Sequence, residues 1–280
     1  INWIGSSNLI TQLRQSIQRV SGTNSRVLIT GPAGSGKDVV ARLLHKHSQR
    51  AEGPFISINC ATMNPENFEA GLFGVESAGD KAKTNQVGTF EQAHNGTLFL
   101  DEVADMPIET QGKIVRVLQE QSFQRVGGAA LIDVNVRVIA ASSKDLSQEM
   151  SAGRFREDLF YRLSVVPIKV PPLREYREDI PELSRYFMEQ MAQGTGRAPR
   201  AFSRESLAIL QLHTWPGNIR ELRNVIERIL IMAPVNSNEP ISSDMIPSEL
   251  NENMKKSELG FDKTEFAGMK LREAREVLKR

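Results

Sequence analysis

Gly31-Pro32-Ala33-Gly34-Ser35-Gly36-Lys37-Asp38 stands directly after the β-branched run Val27-Leu28-Ile29-Thr30 and before an apolar helical pattern, Val39, Val40, Leu43 and Leu44. This is Gly-x-x-x-x-Gly-Lys in the setting that gives the motif meaning. The glycines let the backbone fold around phosphates with its N–H groups inward, the following helix adds the positive end of its dipole, and Lys37 reaches the β and γ phosphates. Nucleotide binding by Gly31 through Val39 is the expectation. The position after Lys37 is commonly Ser or Thr, whose hydroxyl ligates magnesium. Asp38 occupies it here, which moves metal coordination to water or to other groups.

A second constellation is the acidic pair that ends Leu98-Phe99-Leu100-Asp101-Glu102. A strand this apolar emerges at the C-terminal edge of its sheet, the edge that also carries the phosphate loop. Asp101 is placed to hold magnesium and Glu102 to orient and polarise an attacking water, two roles that need two carboxylates. Magnesium-dependent hydrolysis of a nucleoside triphosphate follows from the two motifs together. No Asn-Lys-x-Asp guanine-reading motif occurs, which favours ATP over GTP. Arginine stabilises the charge of a phosphoryl transition state and can come from a neighbouring subunit. Arg156 and Arg162 lie just before the run Val165-Val166-Pro167-Ile168, and Arg220 falls in the first turn of a helix opened by Trp215-Pro216-Gly217-Asn218, with Asn218 as its N-cap. From spacing alone, surface salt bridges explain these arginines equally well.

The elements that must position these groups alternate through the first 170 residues as short β-branched runs and longer helical patterns, the rhythm of a parallel sheet wrapped in helices. Five strands are expected, at Val27–Thr30, Phe55–Asn59, Thr97–Asp101, Val136–Ala140 and Val165–Ile168. Residues 60–96 form an unusually long Gly-, Asn-, Lys- and Ala-rich insertion, of the kind that is either functional or mobile. After Pro171-Pro172 the strands stop and helical spacing takes over, as in Ile180, Leu183 and Phe187 and then Ile219, Leu222, Val225, Ile226, Ile229 and Leu230. Asn236 to Gly268 reads as a loosely ordered polar linker, followed by a helical pattern from Leu271 to Leu278.

Composition bounds the rest. At roughly 150 residues per domain, 280 residues suggest two domains. With 40% hydrophobic and 25% charged residues, wholesale disorder and a membrane protein are both excluded. A net charge of +1 supplies no general field for nucleic acid or acidic membranes. The single cysteine, Cys60, cannot form an internal disulfide, and Ile1-Asn2-Trp3-Ile4-Gly5 lacks the flank and apolar run of a signal peptide, so a cytoplasmic home is expected. The abrupt ends suggest a fragment of something longer.

Taken together, these residues resemble the AAA+ ATPase domains of bacterial sigma-54-dependent transcription activators, the enhancer-binding proteins. The resemblance covers residues 3 to about 235 through the phosphate loop, Asn59-Cys60, Leu72-Phe73-Gly74, Phe90-Glu91-Gln92-Ala93, Gly96 to Glu102, Arg125-Val126-Gly127, Phe155-Arg156-Glu157-Asp158-Leu159, Pro171-Pro172-Leu173-Arg174 and Trp215-Pro216-Gly217-Asn218. It implies an α/β AAA+ P-loop core over residues 1–170, with a five-stranded parallel sheet sandwiched by helices, and a small all-α lid over 171–235. Residues 236–280 become a linker and the start of a helix leading to a DNA-binding domain outside the chain. By the same resemblance Arg156 and Arg162 reach the neighbour's ATP, Arg220 is the lid-domain sensor, Asn59 restrains Glu102, and Ile4 and Gly5 line the adenine pocket. An acidic residue at Asp38 is ordinary in such proteins.

Two departures stand out. Where the family carries the sigma-54-contacting tip Gly-Ala-Phe-Thr-Gly-Ala, this chain reads Ser77-Ala78-Gly79-Asp80-Lys81-Ala82-Lys83-Thr84-Asn85-Gln86-Val87. Where the family has a sensor Asn near the γ phosphate, Ser143 offers a shorter hydroxyl. The altered tip, with Leu271-Arg272-Glu273-Ala274-Arg275-Glu276, resembles the nitrogen-related response regulators of this family. The implied partners are further copies of the chain (a ring, or a dimer in the full protein), RNA polymerase holoenzyme with an unspecified sigma factor, DNA through a C-terminal helix-turn-helix, and a sensor histidine kinase through a receiver domain. No membrane is among them. A nucleotide-gated interaction module with little hydrolysis is the competing expectation; a proteolytic or chaperone motor fits the motif contexts less well.

Overall fold

The computed structural model describes residues 2–77, 85–235 and 237–251. The apolar runs of the first 170 residues form β1 (Val27–Thr30), β2 (Phe55–Asn59), β3 (Thr97–Asp101), β6 (Arg137–Ser142) and β7 (Val166–Lys169), joined in one parallel sheet of order β2-β3-β6-β1-β7. β4 (Ser122–Gln124) and β5 (Leu131–Asp133) make a separate antiparallel hairpin, too short and too exposed to announce itself in the sequence. The fourth and fifth expected strands shift towards the C-terminus. β6 extends to Ser142 because it keeps a parallel partner in β1 as far as Thr30↔Ser142, and β7 reaches Lys169 opposite the same Thr30.

Two helices, α1 (Asn8–Ser21) and α2 (Lys37–Lys46), flank β1 in sequence. Strand alternation divides the apolar residues between the two faces. Leu28, Ile58, Leu98, Leu100, Val138 and Ala140 join one core with residues of α3 (Phe68–Phe73), α4 (Thr89–Gln92), α5 (Ile108–Glu120) and α7 (Glu157–Leu163). Val27, Ile29, Phe99 and Ile139 alternate with them and are equally buried on the opposite face. A short helix, α6 (Leu146–Ser151), precedes α7.

The insertion after β2 does not hang off this framework. Phe68, Leu72, Phe73, Phe90 and Ala93 all lie in the core, and the Phe73 and Phe90 rings stack at 5.8 Å. Its polar composition hides apolar residues that arrive in two separated groups, around residues the structure does not describe. Arg137 is another burial against type: 2% exposed, its guanidinium donates to the carbonyls of Val20, Ser21 and Ser25. A cation on the last carbonyls of α1 complements the negative end of that helix.

The chain divides into two units. One runs to Tyr176 and takes in Gly217–Glu221; the other takes Arg177–Pro216 and the chain from Leu222. The second contains α8 (Ile180–Thr195), α9 (Arg204–Leu212) and the body of α10 (Asn218–Met232), and among the described residues it has no strand. The linker expected from Asn236 is packed over its first part. Ile241, Ile246 and Leu250 are buried and Phe202 bridges to Ile241, because these isolated apolar residues fall between polar ones that face solvent. The expected helix at Leu271–Leu278 lies outside the described residues, as do positions 78–84 of the altered tip. No helix among the described residues is long and apolar enough to cross a membrane.

Candidate nucleotide-binding site

The phosphate loop leaves β1 and enters α2 through two left-handed glycines, Gly34 at φ +77° and Gly36 at φ +99°. Neither accepts a side chain. A Cβ on Gly34 would lie 2.3 Å from the carbonyl oxygen of Gly217, and one on Gly36 would lie 2.7 Å from the indole of Trp3. The loop is therefore walled on one side by Trp3 and on another by the segment that opens α10. Asn218 completes this wall: its Nδ2 donates to the Ala33 carbonyl at 3.0 Å while its Oδ1 accepts from the Leu173 N–H at 2.9 Å. Asn218 opens α10 at φ +52°, outside the helical region, with its side chain engaged with the loop. The Arg220 N–H donates to the Gly34 carbonyl at 3.2 Å, and the Arg220 charge is felt at Lys37.

Lys37 is 6% exposed and its Nζ donates to the carbonyls of Gly31 and Pro32 at 3.0 and 3.1 Å. Burial lowers its pKa, and the carboxylates of Glu102 and Asp101 act in the opposite sense. Beside it the hydroxyl of Ser35 is fully buried without a hydrogen-bond partner. A cationic group buried on carbonyls, together with an orphaned hydroxyl and a glycine cradle that a Cβ would fill, fits an anionic ligand such as a phosphate chain.

The acidic pair reaches the same place through register. β3 and β6 are paired with Leu100 opposite Ala140, so the residues following each strand emerge side by side. Asp101 accepts the Glu102 N–H at 2.9 Å, and its own pKa is raised, first by burial and then by the Glu102 charge. Glu102 sits at φ +51°, an uncommon conformation for a residue with a side chain and one that concentrates at functional sites. Its Oε2 accepts from the Ser143 hydroxyl at 2.8 Å and from the Ser143 N–H at 3.3 Å, while Oε1 lies 3.9 Å from Lys37 Nζ. Asp101 can supply one carboxylate to a magnesium ion. Among the described residues there is no cluster of three or more acidic, His or Cys side chains that could hold a metal alone. That donor set suits magnesium, which takes one or two carboxylates and completes its shell with substrate phosphates and water.

Lys37, Asp101, Glu102, Ser143 and Arg220 are thus brought together, and Asp38 adds its charge from the exposed first turn of α2, beside half-buried Val39. Three other expectations fare differently. The Asn59 side chain accepts from the Ala61 N–H at 2.9 Å, and the hydrogen bonds that hold Glu102 come from Ser143. Ile4 and Gly5 lie beside the Trp3 that touches the loop, and Arg14 donates to the carbonyls of Trp3 and Gly5. Arg156 is engaged locally: it grips Asp158 at 3.0 and 2.8 Å through two guanidinium nitrogens, and its N–H donates to buried Gln111. Arg162, in the last turn of α7, has no side-chain hydrogen bond or ion pair among the described residues, and its charge depresses the pKa of Arg26, though less than burial does. Trp3, the loop contact of Asn218, and Gln111 went unread in the sequence. An apolar ring shortly before a phosphate loop, and an Asn after Pro-Gly, are the signals that could have found the first two.

Fold and site define a P-loop nucleotide-binding domain of the AAA+ class. Residues 3–169 match the sigma-54 interaction domain and residues 174–260 the AAA+ ATPase lid domain. The chain belongs to the sigma-54 interaction domain family of transcription activators. It is 48% identical over 277 residues to the nitrogen assimilation regulatory protein NtrX of Azorhizobium caulinodans, covering 99% of this chain and 61% of that protein. It is 42% identical over 257 residues to the DNA-binding transcriptional regulator NtrC of Rhizobium meliloti, covering 91% of this chain and 51% of that one. The crystal structure of NtrX from Brucella abortus in complex with ATP superposes with a TM-score of 0.86 at 46% identity, covering all of this chain and 61% of the other. The chain therefore spans little more than half the length of these relatives.

Proposed function

We propose that this chain binds ATP with magnesium and hydrolyses it as the oligomeric central domain of a nitrogen-related two-component transcription regulator. The observation that carries the reading is the convergence of Lys37, Asp101 and Glu102 at one sheet edge, with Glu102 Oε1 turned towards Lys37. ATP bound to the Brucella abortus relative supports the choice of nucleotide. Lys37 exchanges its loop carbonyls for phosphate oxygens, Ser35 gains an acceptor, and Asp101 supplies a carboxylate to the metal. Magnesium bound with the triphosphate neutralises charge that develops on the phosphoryl oxygens. Glu102 takes the proton of the water that attacks the γ phosphorus. Arg220 contributes from within the chain, while Arg156 and Arg162 act on the nucleotide of a neighbouring copy, which makes activity depend on assembly.

The wider partners belong to the same reading: RNA polymerase holoenzyme with its sigma factor open, DNA through a helix-turn-helix, and a histidine kinase through a receiver, all in the cytoplasm. Ser77 to Val87 lacks the aromatic-Thr tip of sigma-54 contact, so engagement of holoenzyme runs by another surface or another sigma factor.

Phosphate release measured across protein concentration, for the parent chain and Glu102→Gln, tests the reading. Both should bind ATP with similar affinity, and the variant should turn over at least about tenfold more slowly. Equal, low rates in both would replace the ATPase with the nucleotide-gated module.

A further inference from the structure

We infer that Gln111 and Gly112, near the start of α5, are the positioning residues for Arg156, seating its backbone and its guanidinium for the nucleotide of a neighbouring copy. That destination rests on the function proposed above; the seat itself rests on geometry. Gln111 is fully buried, and both ends of its amide are spent on backbone from other segments. Nε2 donates to the carbonyls of Met106 and Arg154, each at 2.9 Å, and Oε1 accepts from the Arg156 N–H at 2.8 Å. A buried amide engaged in this way holds its partners firmly, because breaking one contact strands a polar group away from water.

The three contacts join the acidic strand end to the arginine. Met106 closes the short turn that Glu102 opens, in which the Asp105 N–H donates to the Glu102 carbonyl at 3.0 Å and the Met106 N–H to the Val103 carbonyl at 3.2 Å. At the other end Arg156 is the residue that opens α7, and Phe155 before it is buried in the core. Gln111 thus fixes the backbone from which the Arg156 side chain departs. Gly112 provides for the side chain. A Cβ there would lie 2.9 Å from Arg156 Nη1, so the missing side chain leaves the room that the guanidinium fills while Nε and Nη2 grip Asp158. Glycine within a helix is otherwise unfavourable, and the arginine explains this one. Arg156 remains 44% exposed, so a phosphate presented from outside can take the place of Asp158.

The test uses Gln111→Met, which keeps the volume and removes all three contacts, and Gly112→Ala, which pushes only on the guanidinium and, as alanine within a helix, should not lower the thermal midpoint. Each should reduce phosphate release at least about fivefold by misplacing a transition-state charge, with ATP affinity within about twofold of the parent. An equimolar mixture of either variant with Lys37→Ala should release phosphate at least about twofold faster than the average of its components, because the Lys37→Ala chain supplies an intact Arg156. A chain damaged in its fold would not recover in this way. The second readout is hydrogen exchange at the Arg156 N–H, which should quicken at least about tenfold in Gln111→Met and stay within about twofold in Gly112→Ala. If the parent chain and Glu102→Gln prove equally inactive, the hydrolytic reading falls while the exchange rate still decides the contact. Should Gln111→Met not fold, Gly112→Ala carries the rate and mixing arms, and a parent-like rate in it would sink the seat. Unchanged exchange in Gln111→Met, or mixtures that stay inactive where Arg156→Ala mixed with Lys37→Ala recovers, would overturn the assignment.

Discussion

At the carboxyl edge of the sheet, Lys37, the Asp101-Glu102 pair and Ser143 arrive from separate segments of the chain and meet; at α7, Arg156 and Arg162 come from one short segment. The first group is partly buried and electrostatically unfinished, with the Lys37 pKa lowered and the Asp101 pKa raised, burial being the main cause of each. In the second, Arg156 is exposed and Arg162 half-buried. Arg156 is held by Asp158, and Arg162 lies beside the like charge of Arg26. A partly buried cluster with shifted pKa values suits a ligand held by this chain itself. Arginines with a local partner, or none, suit a ligand that another molecule presents.

The largest expected effect separates the two regions directly. Lys37→Ala should weaken ATP binding about a hundredfold or more in a calorimetric titration, since two charge-assisted contacts vanish together. Arg156→Ala should leave it within about twofold. Equal losses in both would erase the distinction between enclosed and presented groups. A smaller effect probes the second region by mixing. Lys37→Ala and Arg162→Ala chains should each be nearly inactive alone, and an equimolar mixture should recover part of the parent phosphate release if the arginine serves a neighbour's site. A mixture as inactive as its components would place Arg162 within its own chain's machinery or outside catalysis.

The smallest effect concerns the Arg156–Asp158 pair. With both side chains more than 40% exposed, Asp158→Asn should shift thermal unfolding by no more than the about 0.2–1 kcal/mol common for surface pairs. The sign with pH follows from Asp158, whose carboxyl is held below its ordinary range chiefly by the Arg156 hydrogen bonds. A depressed folded-state pKa means the contribution is present above the unfolded carboxylate range, near about 3.9, and fades as pH falls through the folded value. The difference between parent and variant should therefore be measurable at neutral pH and vanish in strong acid. A loss of several kcal/mol would show that the pair is structural rather than a local parking place for Arg156.

Much of the first region was legible in the sequence because its chemistry is local. Gly34, Gly36 and Lys37 sit within one turn of chain, and the strand, loop and helix that give them meaning are contiguous. The Asp101-Glu102 pair was legible for the same reason, at the end of an apolar run. What holds Glu102 was not. Ser143 lies far along the chain and meets Glu102 only because parallel strands in register end at a common edge, the edge where Asn59 Oδ1 accepts from the Ala61 N–H. The contacts of Trp3 and Asn218 with the loop escaped for a related reason: each spans a gap in sequence that no local pattern covers. The core packing of the insertion after β2 was not legible because its apolar residues are outnumbered by polar ones, although burial depends on where side chains point and not on average composition.

By itself, then, the sequence determined that a phosphate-binding loop, an acidic strand end and an alternating α/β core share one chain, since these follow from residue type and short-range spacing. Tertiary structure alone decided that the Ser143 hydroxyl meets Glu102 and that the Asn218 amide reaches the Ala33 carbonyl. Each of those depends on strand register or on a contact between distant segments, and the free energy that fixes such contacts comes from burying the whole core, which no local window of residues contains.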